Sequence, residues 1–234
     1  MSPAEFGVNF FVAMFALIDP IGNVPVFAAA TSSASPAGRR WTALYISLFA
    51  MGFLAFFYFT GLDLLRFFGI SLPAFRIAGG ILLLLLGLDM SRGALTAAFS
   101  DPTGEHEAVD ARGYARRSFE RLVVPFAMPL LIGPGAISAT IIYAGEAKAI
   151  GWPGTVAGLI AMGAVAVSTF VTFALTPIIS KALGRIGMTI TVRLSGLILC
   201  AMAVQFLIVG LNDATHGLMR QSVATPYAEA PARR

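Results

Sequence analysis

Residues 19–25 read Asp19-Pro20-Ile21-Gly22-Asn23-Val24-Pro25 and residues 129–135 read Pro129-Leu130-Leu131-Ile132-Gly133-Pro134-Gly135, each inside a long apolar stretch. A helix interior loses about 3 kcal/mol at a proline and close to 1 at a glycine, so both runs predict broken helices. In a bilayer, non-helical backbone persists only where it lines a cavity or lies buried in protein. Two such interruptions point to a transport site where the halves of a repeat meet.

The rest of the chain supplies the membrane setting. Apolar residues make up 57% of it and charged residues 12%, with a mean hydropathy of +0.82, too hydrophobic for an ordinary soluble domain. Stretches at 7–31, 42–62, 72–91, 121–145, 154–177 and 190–211 are each long enough to cross about 30 Å of hydrocarbon. The expected fold is all-α, a polytopic membrane protein of six transmembrane helices whose first and fourth are discontinuous. The apolar run Phe6–Ile18 before Ala28-Ala29-Ala30 imitates a secretory signal, but Glu5 is the one charged side chain before Asp19 and no basic segment precedes it. The single cysteine, Cys200, sits in the last apolar stretch and reads as a small buried residue.

An internal repeat organises these spans. Trp41 and Trp152 are 111 residues apart, and the same offset lays Ala50-Met51-Gly52 on Ala161-Met162-Gly163 and Ile21-Gly22 on Ile132-Gly133. Farther along the offset is 117, where Phe75-Arg76-Ile77-Ala78-Gly79 meets Val192-Arg193-Leu194-Ser195-Gly196. The chain divides into a three-helix repeat at 1–94, a cytoplasmic loop at 95–120, a second three-helix repeat at 121–212 and a flexible C-terminal tail at 213–234. Because each repeat has an odd number of spans, the copies are inverted. Arg39, Arg40, Arg92, Arg112, Arg116, Arg117, Arg121, Lys181 and Arg185 fall on one side and five basic residues on the other, which makes the first side cytoplasmic and both termini non-cytoplasmic.

Function is read from the interruptions. Pro20 disfavours helical geometry at Asp19, so the first half-helix ends near Ile18, and Gly22 or Asn23 caps a new one with Pro25 in its first turn. In the second copy Gly133 is the cap, Pro134 the first helical residue and Gly135 the place where a ligand approaches the backbone. Half-helix amides favour a carboxylate, and the unwound carbonyls favour an ammonium group or a coupling cation. Together they describe a small zwitterionic solute, with Asn23, Ser138 and Thr140 as further contacts. Asp19 is the sharpest candidate, since an ionisable side chain at this depth is by default functional. Its three roles stay open: binding the ammonium, carrying a proton, or accepting from freed amides near Asn23.

Other features read as structural. Arg76 and Arg193 snorkel from equivalent positions, Gly154 and Gly158 favour close packing, and Asp63 with Arg66 and Asp89 with Arg92 form pairs at i, i+3. Asp101, Glu105, His106, Glu107 and Asp110 match no compact metal spacing, so no metal and no cofactor are expected. Without a nucleophile elbow, a phosphate loop or a helical histidine pair, the chain is not expected to be an enzyme, and its basic charge gives no reason to expect nucleic acid.

Asp19-Pro20-Ile21-Gly22-Asn23-Val24-Pro25-Val26-Phe27 and Pro129-Leu130-Leu131-Ile132-Gly133-Pro134-Gly135-Ala136-Ile137-Ser138 together resemble the two signature motifs of the MarC family of bacterial and archaeal membrane proteins. That resemblance covers nearly the whole chain and implies a location in the cell inner membrane. Similarity to its SnatA-type members implies transport of small neutral amino acids such as glycine and alanine; the direction and the coupling ion, a proton or a sodium ion, stay open. Gly22, Asn23, Gly133 and Gly135 match the positions where substrate would bind, with Pro20, Pro25, Pro129 and Pro134 making the breaks. A passive channel or exporter of small solutes, and a non-transporting membrane scaffold, are the competing readings.

Overall fold

The computed structural model describes residues 1–92, 111–122 and 131–215, and every regular element among them is a helix. Helix α1 (Pro3–Ile18) opens on a capping box, in which Glu5 N–H donates to Ser2 Oγ at 3.2 Å and Ser2 N–H donates to Glu5 Oε2 at 2.7 Å. That backbone bond holds the Glu5 carboxyl below its ordinary value. After a turn comes α2 (Val24–Ala30), so the first apolar stretch is two short helices. Then follow α3 (Pro36–Phe67), α4 (Leu72–Arg92), α5 (Ala111–Leu122), α6 (Pro134–Ile150), α7 (Trp152–Ala174) and α8 (Thr176–Ala214). Within α8 the chain kinks at Gly184, whose φ of 62° a residue without Cβ adopts freely.

Among the described residues four helices are long and apolar enough to cross a membrane: α3, α4, α7 and the part of α8 from Ile186 to Ala214. Helix α1 is apolar but shorter. The stretch expected at 121–145 is described from Leu131 onward, chiefly as α6, whereas residues 123–130, Pro129 among them, lie outside the described residues. So do residues 93–110, with their acidic and histidine side chains, and the tail from 216.

The helices pack as two groups. Helices α1, α3, α6 and α7 contact one another, and α4 packs most extensively along α8. In the first group Phe10 stacks on Tyr143 with ring centres 4.6 Å apart, and Phe27 of α2 stacks on Phe173 of α7 at 4.5 Å. Gly158 lies under the Tyr58 ring and Gly154 against Ala147 and Ile150, so the small residues of α7 admit α3 and α6. Between α4 and α8 the backbones touch. A Cβ on Gly87 would stand 2.8 Å from Gly196 O and 2.9 Å from Cys200 N, and one on Gly196 would stand 2.7 Å from Gly87 O. Cys200 is partly buried in this seam.

Two expectations change. Residues 111–120, read as loop, belong to α5, which packs on α3. Its apolar side recurs at helical spacing: Ala115 and Ser118 are buried, Phe119 meets Tyr45 and Phe49 edge-on, and the Arg112 guanidinium lies 4.6 Å over the Trp41 ring. Arg76 does not snorkel freely. It donates to Asp213 Oδ2 at 2.6 Å, joining the start of α4 to the end of α8.

Candidate functional site

The first interruption is a hydrogen-bonded turn built by Asp19 and Asn23. Asp19 takes the left-handed conformation, φ 43° and ψ 62°, the sole non-glycine residue described there. Aspartate tolerates this conformation better than most side chains, and proline at the next position excludes the right-handed helical alternative. Gly22 N–H donates to Asp19 Oδ1 at 3.0 Å. Asn23 precedes α2 but its side chain does not cap that helix; Nδ2 turns back and donates to Ile18 O at 3.0 Å and Asp19 O at 3.1 Å. Its Nδ2 thereby serves carbonyls at the end of α1, where helical donors run out. At the far end of α2, Arg39 donates to Thr31 O and Thr31 Oγ1.

This turn retains acceptors with nothing to accept. Asp19 Oδ2 and Asn23 Oδ1 are buried without a hydrogen-bond partner, and Asn23 as a whole is 1% exposed. Gly22 is buried between the turn and α8, where a Cβ would collide with both Asp19 Oδ2 and Ser195 Oγ. Those two oxygens therefore crowd one point over the Gly22 backbone.

The second interruption is simpler and rich in donors. Gly133 is the N-cap of α6, extended at φ −74° and ψ 170°, with no side chain to bond the first-turn amides. Pro134 follows at the first helical position. Gly135 is buried, and a Cβ on it would collide with the Leu83 side chain of α4. Ser138 is fully buried with Oγ unpartnered, while Thr140 Oγ1 donates to Ala136 O.

Packing relates the two turns. Phe10 faces Tyr143, and Thr140 Oγ1 approaches Met14 Sδ at 3.6 Å, so α1 and α6 run antiparallel. Continued along the pair, that register sets the C-terminal end of α1 beside the N-terminal end of α6. Acceptors at one helix end thus face donors at another. No hydrogen bond joins Asp19, Gly22 or Asn23 to Gly133, Gly135 or Ser138 among the described residues. A cleft of about 960 Å³ opens between α2 and α8, reaching from Lys181 and Ser180 to Pro25 and Arg193. Its lining ends at Pro25, two residues beyond the first turn.

Two neighbours escape a reading of the sequence. Ser195 stands where the first copy has Ala78, a polar replacement inside an apolar span that the repeat alignment exposes. Leu83 carries no such signal, being one leucine in a run of them.

A chain with several helices long and apolar enough to cross a membrane, and buried polar turns packed among them, is an integral membrane protein. Residues 4–215 match the family described as MarC family integral membrane protein, and the chain belongs to that family. It is 38% identical to a UPF0056 membrane protein of Methanocaldococcus jannaschii over 90% of this chain and 98% of the relative. A UPF0056 membrane protein of Aquifex aeolicus is 35% identical over 89% and 95%, and YhcE of Escherichia coli, likewise a UPF0056 membrane protein, 33% identical over 90% and 94%. No solved structure matches the chain.

Proposed function

We propose that this protein is a secondary transporter of small neutral amino acids, of the glycine and alanine class, working by alternating access around the two interruptions. The observation that carries the reading is the meeting of opposite helix ends: the acceptor-rich turn after α1 beside the uncapped start of α6. A zwitterion matches both, its ammonium group toward Asp19 and its carboxylate toward the first amides of α6, with no buried cation needed. The small residues Gly22 and Gly135, and the unpartnered oxygens of Asn23 and Ser138, suit a solute with little side chain.

We further infer six spans in two inverted three-helix repeats. Interleaved packing supports it: α1 and α2 of the first half lie against α7 and α8 of the second, while α6 of the second lies against α3 and α4 of the first. The seam of α4 and α8 then serves as the axis about which the halves rock. The charge distribution favours an inner membrane with Lys181 and the cleft on the cytoplasmic side and both termini on the other. A proton or a sodium ion is the coupling ion. The decisive experiment is counterflow: purified protein in liposomes preloaded with unlabelled glycine is expected to accumulate labelled glycine transiently and saturably. Flux without saturation or counterflow means a channel, and no movement of glycine or alanine under any ion gradient defeats the assignment.

A further inference from the structure

We propose that Ser195 of α8 and Asp19 are two oxygen ligands of a small-cation subsite against Gly22, a subsite that takes either the ammonium group of a solute or a monovalent metal ion. This rests on the proposed transport function for its purpose but not for its geometry. Asp19 divides its carboxylate: Oδ1 accepts from Gly22 N–H, and Oδ2 is buried with no partner. A buried carboxylate oxygen without a donor is expensive, so a cation or a donor belongs there. Ser195 is 5% exposed, and its hydroxyl oxygen crowds the point over the Gly22 Cα that Asp19 Oδ2 also crowds. Asp19 Oδ2 accepts from no donor, Ser195 included, so its lone pairs are open to a third group.

Asn23 adds an independent sign of a ligand, for it is 1% exposed and its Oδ1 is unpartnered although its Nδ2 is fully used by Ile18 O and Asp19 O. Oxygen donors of this kind suit hard monovalent ions and ammonium groups alike. Glycine is required at position 22 because any Cβ would collide with both ligand oxygens and push them apart. The cleft lined by Pro25, Val192 and Arg193 approaches the subsite along the neighbouring turns of α2 and α8. Since Asp19 follows α1 and Ser195 belongs to α8, occupancy also ties α8 to the first turn.

The test uses the single native cysteine to advantage. In a Cys200→Ala background, Ser195→Cys protein that elutes as one folded species is treated with cationic aminoethyl methanethiosulfonate or anionic sulfonatoethyl methanethiosulfonate. Asp19 favours the cationic reagent while Lys181 and Arg193, which line the cleft, oppose it, so the ratio of cationic to anionic rates is expected to fall about 10-fold in Asp19→Asn. In the natural sequence, whose Ser195 oxygen is intact, a thermal midpoint raised by sodium chloride but not choline chloride assigns the subsite to a metal ion, and one raised by glycine assigns it to the ammonium group. A thiol that stays unreactive in the Ser195→Cys protein, a ratio of cationic to anionic rates unchanged by Asp19→Asn, or a midpoint of the natural sequence raised by neither solute overturns the proposal. As a second measurement, sodium chloride or glycine is expected to raise the thermal midpoint of the natural sequence in detergent and to lose that effect in Ser195→Ala. A rise that persists in Ser195→Ala also overturns it. Sodium stabilisation without any glycine counterflow would leave the subsite standing and remove the amino acid assignment.

Discussion

Gly22 has no room for a side chain, since Asp19 Oδ2 and Ser195 Oγ already occupy the space above its Cα. Gly22→Ala is expected to destabilise the protein by about 1–3 kcal/mol through overpacking and to abolish glycine counterflow, measured as a lower thermal midpoint in detergent and as lost exchange in liposomes. Asp19 is constrained differently. Its left-handed backbone and its bond to Gly22 N–H are both available to asparagine, so Asp19→Asn is expected to keep the thermal midpoint. Asp19→Leu loses the acceptor and strains the backbone, a loss of about 1–3 kcal/mol read in the same melt.

At the level of elements, the α4 and α8 seam depends on glycines that let two backbones touch. Gly87→Leu is expected to force the pair apart and to cost about 1–3 kcal/mol or more, seen as aggregation or a lowered midpoint on gel filtration after heating. Arg76→Ala removes the ion pair with Asp213 at the end of the same seam. With Asp213 substantially exposed, the expected loss is about 1 kcal/mol or less, and a double-mutant cycle with Asp213→Ala measures the pair itself. These elements are unevenly legible. The apolar runs and the proline-glycine interruptions announce helices and their breaks, because proline and glycine act on their own backbone. Helix α5 does not announce itself as a packed element, since its short, strongly charged sequence yields a buried side only when Trp41, Tyr45 and Phe49 of α3 are there to receive it.

Across the whole molecule the proposed orientation in the bilayer rests on where arginine and lysine lie. A reporter active only outside the cytoplasm, fused after Arg234, is expected to be active, and the same reporter inserted after Arg92 to be silent. The candidate site is half legible. Asp19, Pro20, Gly22 and Asn23, with Gly133, Pro134 and Gly135, stand out because each carries a local backbone consequence that needs no neighbour to be seen. Local chemistry in that sense accounts for the membrane class, the end of α1 at Ile18 and the start of α6 at Pro134. Only the tertiary structure decided what faces the breaks, Ser195 of α8 against Gly22 and Leu83 of α4 against Gly135. It also turned Asn23 back onto α1 rather than onto α2, and it closed α4 and α8 into one seam. The physical reason is distance along the chain: Gly22 and Ser195 are neighbours through helix packing, and no turn or periodicity of either segment encodes the other.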